Sequence, residues 1–227
     1  MFKTVLEIIN EVQRKLGLNV TATVSETKHA RALLQWLNEV VAELSDFGPF
    51  QEVYREVNVT AQTSVATYTI VPASGMFVGR VYEIAFQGDT APLQVRTIED
   101  IRRLSRLESV GRPRQYTLKG VNASGHPQFE TYPVTSSTYN GRTFNCAIYI
   151  KPPDYTDADG AEQVPFAANV VIKGLYAKAL LDEAGGEATN QYKMAYQEYL
   201  DGRQAALNRL TGNTGVDTYL VPGRFVR

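Results

Sequence analysis

The chain has 227 residues, of which 44% are hydrophobic and 21% are charged, and its formal net charge is −1. A chain of this length can bury one sizeable core, or form one domain with a large insertion. The balanced charge argues against a protein whose whole surface binds nucleic acid or a membrane. Charged residues interrupt the apolar N-terminus and no apolar run reaches membrane-spanning length, so we expect neither a signal peptide nor a transmembrane segment.

Two amphipathic helices are predicted at the N-terminus. Thr4 and Glu7 have the spacing of a capping box, and apolar residues from Val5 to Leu16 then recur on one helical face, up to a stop at Gly17. A second helix is predicted over residues 25–46, with Ser25 or Thr27 as its cap. The Gly-Pro pair at positions 48–49 ends this helix.

The central part of the chain reads as strands. Residues 53–59 alternate between apolar and polar side chains, and residues 65–71 follow after a short polar turn, which predicts a hairpin. Further strands are predicted at residues 78–86, 93–97, 116–119, 128–133 and 144–151, with one amphipathic helix over residues 98–109. Many short strands separated by turns are typical of a small antiparallel sandwich or barrel.

Two more helices, joined at Gly185 and Gly186, are predicted over residues 166–210. The first is apolar almost all the way round, so it needs packing partners on more than one side. The second carries Tyr192, Tyr196 and Tyr199 at helical spacing, for which helix packing is the default explanation and a subunit interface the alternative.

The predicted fold class is therefore α+β. Residues 1–49 and 166–210 are expected to form a four-helix bundle, into which residues 50–165 insert an antiparallel β-sandwich or barrel domain. Residues 211–227 contain three glycines and one proline and have no helical period, yet they keep several large apolar side chains. Because disordered tails are usually poor in such residues, we expect this extended tail to bind a partner. The candidate partner-binding residues are Val216, Tyr219, Leu220, Val221, Arg224, Phe225, Val226 and Arg227.

Signals for chemistry are weak. His29 and His126 have no motif neighbours, and Cys146 lies in an alternating strand pattern that is typical of a buried structural cysteine. The acidic loop, residues 154–162, echoes part of a calcium-binding loop but lacks the remaining ligand positions, so a solvated loop is the favoured interpretation. We therefore predict no catalytic residues, no cofactor site and no metal site.

One basic cluster lies within residues 102–119: Arg102, Arg103, Arg106, Arg112, Arg114 and Lys119. Such a cluster can contact DNA phosphates or an acidic protein surface. The simpler interpretation is a solvated helix face whose arginines pair with local acids such as Glu99 and Asp100. No aromatic residue interleaves with the cluster up to Val110, which favours this simpler interpretation over a surface for single-stranded nucleic acid.

Several stretches together resemble a known family. They are residues 29–50, 65–84, 111–120, 148–155 and, most clearly, 165–207. The chain resembles the head-to-tail adaptor, or connector, proteins of tailed bacteriophages, the group that includes tail tubular protein A of short-tailed phages. The likeness covers the order of elements along nearly the whole chain and depends on no single motif.

The resemblance implies a structural virion protein and not an enzyme. Such adaptors assemble in the host cytoplasm as a closed ring, usually dodecameric, that docks under the portal protein. The ring extends the DNA channel without sequence-specific binding and gives the next tail protein a platform, and the C-terminal extension reaches along a neighbouring protein. The alternatives are another tail-completion or stopper protein of the neck, a carbohydrate-active β-sandwich protein, or a ligand-binding β module.

Overall fold

The computed structural model describes residues 2–73, 76–107 and 109–210, without the side chains of residues 209 and 210. The described residues form a mixed α+β fold of five helices, nine strands and two short 3-10 turns. The helices are α1 (Val5–Lys15), α2 (Lys28–Phe47), α3 (Ile98–Ser105), α4 (Ala168–Glu183) and α5 (Asn190–Leu210). The strands are β1 (Tyr54–Thr60), β2 (Thr67–Thr69), β3 (Phe77–Phe86), β4 (Gln94–Val95), β5 (Val110–Gly111), β6 (Gln115–Val121), β7 (Pro127–Tyr132), β8 (Val134–Thr135) and β9 (Thr143–Lys151).

The N-terminal helices begin at the caps that their local sequence predicts. At α1, the Thr4 backbone N–H donates to Glu7 Oε2 at 2.8 Å, and the Glu7 backbone N–H donates to Thr4 Oγ1 at 3.3 Å, so the capping box is confirmed. For α2, Thr27 is the cap, since its Oγ1 accepts the Ala30 N–H at 3.1 Å. Both helices present a single buried face, as their amphipathic patterns predict.

Helix α4 is buried by several neighbours, which confirms the prediction that its all-round apolar surface needs more than one partner. It contacts α1, α2 and α5, and nine of its sixteen residues are buried. Lys178 on its outer side pairs with Glu39 at 3.0 Å and Glu43 at 2.7 Å, both on α2. The helices at the two ends of the chain therefore share one core.

The longest strand pairing joins distant parts of the sequence. Strand β9 lies between β1 and β3, and both pairings are antiparallel. The hairpin predicted for residues 53–59 and 65–71 is therefore wrong, because β1 and β2 lie in different sheets. The short polar segment between them carries the chain from one sheet to the other, and long-range pairing with β9 supplies the partner of β1.

A second sheet has the strand order β2-β7-β6-β4, with β4 parallel to β6, and β5 pairs with β8 in a two-stranded sheet. An aromatic cluster joins the two larger sheets. Phe144 of β9 lies 4.8 Å from the ring centroid of Tyr68 in β2 and 5.4 Å from that of Phe129 in β7. All three side chains are buried, so the core of the β region is aromatic.

Two predicted boundaries need correction. Helix α3 ends at Ser105 and not at residue 109, because the chain turns at residues 106–107 and Val110 joins β5. The strand predicted over residues 93–97 is reduced to Gln94–Val95, since Thr97 already caps α3 with its Oγ1. Within the described residues, no helix combines the length and the apolarity needed to cross a membrane.

Candidate functional site

The short helix α3 carries three of the predicted arginines. Ile101 is fully buried, and the helix contacts β6 and β7. Arg102, Arg103 and Arg106 are exposed on its solvent side. Arg103 lies 3.5 Å from Asp100, but its side chain is 79% exposed, so this ion pair leaves the guanidinium accessible.

Arg112 belongs to a different environment. It forms an ion pair with Asp89, and its Cζ lies 5.9 Å from the ring centroids of both Phe86 and Tyr139. The side chain therefore links β3 to the 3-10 turn Ser137–Tyr139 within the chain. Because the charge of Arg112 is already paired, this geometry favours a structural role over a contact with DNA or another protein.

The structure brings two other exposed arginines beside α3. The Gln94 N–H donates to the Arg114 carbonyl at 2.9 Å, and the Arg96 N–H donates to the Tyr116 carbonyl at 2.8 Å, so Arg96 directly follows β4 and Arg114 directly precedes its parallel partner β6. Sequence reasoning missed Arg96, because only the parallel pairing of β4 with β6 shows that it belongs to the same part of the sheet as Arg114. Lys119, further along β6, pairs with Glu130 at 3.2 Å.

Three large apolar side chains in the same stretches of the chain as these arginines are also exposed. Val95, Leu107 and Val110 are 67%, 70% and 59% exposed. The name α3 surface is used below for these three residues together with the five exposed arginines Arg96, Arg102, Arg103, Arg106 and Arg114. A surface that mixes arginine with uncovered apolar side chains has the composition of a protein-binding patch.

The tyrosines of α5 divide between packing and exposure. Tyr199 is 1% exposed, and its hydroxyl donates to Glu43 Oε2 at 3.5 Å, so it serves helix packing as the default explanation predicts. Burial raises the pKa of the Tyr199 phenol above its usual range, with the Glu43 carboxylate adding to the effect. The ring centroids of Tyr192 and Tyr196 lie 5.6 Å apart in a stacked arrangement, and Tyr196 is 40% exposed. Tyr192 is half-buried against the cluster of Ala177, Leu180 and Ala195, so of these two tyrosines Tyr196 is the one that is accessible to a neighbouring molecule.

The acidic loop is held in a defined conformation. The Asn38 amide donates to the Tyr155 carbonyl at 2.9 Å and accepts the Tyr155 N–H at 2.8 Å. Asp159 accepts the backbone N–H and the hydroxyl of Thr156, both at 2.7 Å, and these hydrogen bonds lower the pKa of the Asp159 carboxyl. A groove of about 580 Å³ separates the loop from α2, with Arg31 and Asp157 among its lining residues.

The residues considered for metal binding or nucleophilic chemistry lie apart. Across the part of the chain that the structure describes, no group of three or more histidine, cysteine, aspartate or glutamate side chains could hold a metal ion. His29 is exposed on α2, and His126 lies in the turn before β7. Cys146 is fully buried, as predicted, and burial raises the pKa of its thiol to about 12, which keeps it protonated and unreactive. The predicted partner-binding tail, residues 211–227, lies outside the described residues.

No curated protein matches the chain. A family model described as SU10 adaptor protein matches residues 3–224, which is nearly the whole chain. This family indicates a structural component of the bacteriophage head-to-tail junction, which is not an enzyme class. The match extends from the first helix through the β region, and the chain belongs to the SU10 adaptor protein family.

Proposed function

We propose that the protein is one subunit of a closed, dodecameric ring at the head-to-tail junction of a phage particle. The ring docks below the portal protein, extends the DNA channel and presents a platform to the next tail protein, as tail tubular protein A does in short-tailed phages. The observation that carries this proposal is the family match over residues 3–224. A formal net charge of −1 suits a conduit that must let DNA pass without holding it.

The helices and the β region have separate tasks in this proposal. Residues 1–49 and 166–210 act as a four-helix bundle, supported by the contacts of α4 with α1, α2 and α5. Residues 50–165 act as an inserted β-sandwich domain, supported by the aromatic cluster around Phe144 that joins two sheets. Tyr196, which is exposed and stacks on the half-buried Tyr192, forms part of a subunit interface together with it, since aromatic residues are enriched at such contacts.

Position and stoichiometry test the proposal directly. Native mass spectrometry and electron microscopy of the purified protein, with and without portal protein, measure the size of the assembly and where it binds. With portal protein present, we expect the purified chain to form a closed ring. In the infected cell, the same assembly takes place in the host cytoplasm. A monomer under both conditions, or density elsewhere in the particle, would contradict the proposal.

The tail supplies the attachment in this proposal. Since the segment serves attachment and not folding in this proposal, deleting residues 212–227 should leave the circular dichroism spectrum and the melting temperature unchanged. The truncated protein should fail to bind portal rings or a neighbouring subunit. A second variant keeps the full length of the chain and replaces three apolar tail residues by serine: Tyr219, Leu220 and Phe225. We expect the same loss of binding, which shows that the side chains and not the length of the tail are responsible. Particles completed normally by both variants would exclude the tail as the anchor.

A further inference from the structure

The α3 surface has an excess of unpaired positive charge. Arg102 lies on α3 and Arg106 is the C-cap residue of that helix, four positions further on, so their like charges lie about one turn apart and repel. No ion pair engages Arg96, Arg102, Arg106 or Arg114 among the described residues, and Arg103 pairs only with the neighbouring Asp100. A surface of this kind gains most from a partner that brings carboxylates.

The acidic loop has the complementary composition. Its carboxylates are Asp154, Asp157, Asp159 and Glu162, and it contains no lysine or arginine. Asp154, Asp157 and Glu162 are exposed, and none of them forms an ion pair with another described residue; the loop also exposes the small apolar side chains of Ala158 and Ala161. Arg31 of α2 lines the same groove as Asp157, and its Nε donates to the Ser25 carbonyl at 3.0 Å.

The loop is also preorganised for binding. Apart from the Asn38 and Asp159 hydrogen bonds, its backbone is fixed to α1, where the Val5 N–H donates to the Glu162 carbonyl at 2.9 Å and the Leu6 N–H donates to the Gly160 carbonyl at 3.0 Å. A loop that is already ordered loses little conformational entropy when it binds. It can therefore act as a rigid acidic ridge.

Within one subunit the two surfaces do not neutralise each other. In the described ranges, no ion pair or side-chain hydrogen bond joins the α3 surface to the acidic loop. A contact between copies can use both surfaces at once, since each subunit offers one of each. Contacts of this head-to-tail type are the ones that close into rings.

We propose that the α3 surface of one subunit binds the acidic loop of the next subunit in the ring. This inference rests on the proposed function, and it names the pair of surfaces that joins neighbours. The exposed side chains of Val95, Leu107 and Val110 favour a protein over DNA as the binding partner. Contacts to a DNA phosphate backbone are made by charged and polar groups and gain nothing from apolar side chains.

A charge exchange tests the contact. The first variant carries Arg102→Glu and Arg106→Glu, the second carries Asp154→Lys and Glu162→Lys, and the third carries all four changes. We expect the first two to need a subunit concentration at least about tenfold higher for half-maximal assembly, measured by sedimentation or native mass spectrometry. The third variant should recover assembly close to that of the natural chain, because the exchanged charges again attract each other.

The controls separate this contact from folding and from general charge effects. All variants should keep the melting temperature of the natural chain to within a few degrees, since every changed side chain is exposed. A control variant with Arg14→Glu and Arg80→Glu changes the net charge by the same amount as the first variant, at exposed sites outside both surfaces. It should assemble normally.

The outcomes distinguish this inference from the proposed function. If the natural chain and both two-site variants form rings equally well, the proposed contact is wrong and the proposed ring is not affected. The same conclusion follows if the four-site variant shows no recovery of assembly. If Arg102→Glu with Arg106→Glu assembles normally but loses retention of duplex DNA, the α3 surface binds nucleic acid and the inference is overturned. A natural chain that never associates, with or without portal, overturns both.

Discussion

Gly174 occupies the closest approach between three helices. A Cβ atom at this position would lie 2.8 Å from Cε2 of Tyr199 on α5 and 3.0 Å from Cγ1 of Val40 on α2. Both neighbours are buried and have no free space to move into. The glycine therefore sets how near α4 comes to its partners.

Replacing Gly174 by alanine should destabilise the protein. Overpacking a close-packed core costs about 1–3 kcal/mol, and the better helix propensity of alanine offsets about 1 kcal/mol of that cost. We expect a net fall of up to about 2 kcal/mol in the free energy of unfolding, measured by urea denaturation.

Gly202 on α5 provides the matched control. A Cβ atom there would be 3.8 Å from Lys173 Cδ and from Val170 Cγ2, which is ordinary contact. Gly202→Ala should therefore raise the free energy of unfolding by up to about 1 kcal/mol. Shifts of the same sign in the two variants would refute the close-approach explanation.

Arg112 shows what a sequence does not reveal at the scale of one residue. It lies in the same arginine-rich stretch as Arg102 and Arg106, and nothing local distinguishes it. Its ion-pair partner Asp89 and its ring partner Tyr139 lie more than twenty residues away on either side. Only the tertiary structure distinguishes Arg112, whose charge is paired inside the fold, from Arg102 and Arg106, which are exposed.

At the scale of elements, a single amide fastens the acidic loop to α2. Asn38→Ala would leave the N–H and the carbonyl of Tyr155 without their partner, and such a loss costs about 1–3 kcal/mol. We expect lower stability and faster hydrogen exchange over residues 154–162.

Gln35→Ala is the control for the Asn38 variant. Gln35 lines the same groove on the same helix, but it is exposed and no hydrogen bond engages it in the described structure. Its replacement should leave both stability and exchange unchanged. Equal exchange rates in the two variants would show that the Asn38 amide does not hold the loop.

The predictability of the elements follows the range of the interactions that form them. Helices α1 and α2 were predictable because their caps and apolar faces are encoded within a few residues, as Thr4 with Glu7 and Thr27 show. The pairing of β1 was not, because its partner β9 lies some ninety residues further on and alternation alone does not identify a partner. The same limit concealed Arg96, because only the pairing of β4 with β6 brings it to the part of the sheet where Arg114 lies.

For the whole molecule, buried tyrosines predict a loss of stability in alkali. Burial, with nearby acidic groups, raises the pKa of Tyr116 and Tyr155 to about 12, and burial also raises that of Tyr199. In the unfolded chain these phenols titrate near about 10. As the pH rises, these phenols therefore lose their protons at a lower pH in the unfolded state than in the folded state. Their contribution to the free energy of unfolding is complete below about pH 10 and is lost as the pH rises towards about 12.

Urea denaturation between pH 8 and pH 11, together with tyrosinate absorbance, measures this effect. We expect a constant free energy of unfolding up to about pH 9.5 and a progressive fall above it. Tyr116→Phe, at a residue that is 2% exposed, should make the fall less steep. An unchanged slope in that variant would show that Tyr116 does not contribute to the fall.

The family of the whole molecule was more predictable than most of its parts. No single motif is specific, but the order of helices, strands and helices extends along the chain, and the family match covers residues 3–224. The composition of the α3 surface, in contrast, emerged only when α3, β4 and β6 were placed together.

The position of β9 between β1 and β3 also bears on how the protein is made. While the ribosome is still translating the middle of the chain, neither β1 nor β3 has its sheet partner, because residues 143–151 have not yet emerged. Helices α1 and α2 must likewise wait for α4 to cover their apolar faces. Long-range contacts of this kind delay folding until late in synthesis. We infer that the chain reaches its folded state only after α4 has left the ribosome.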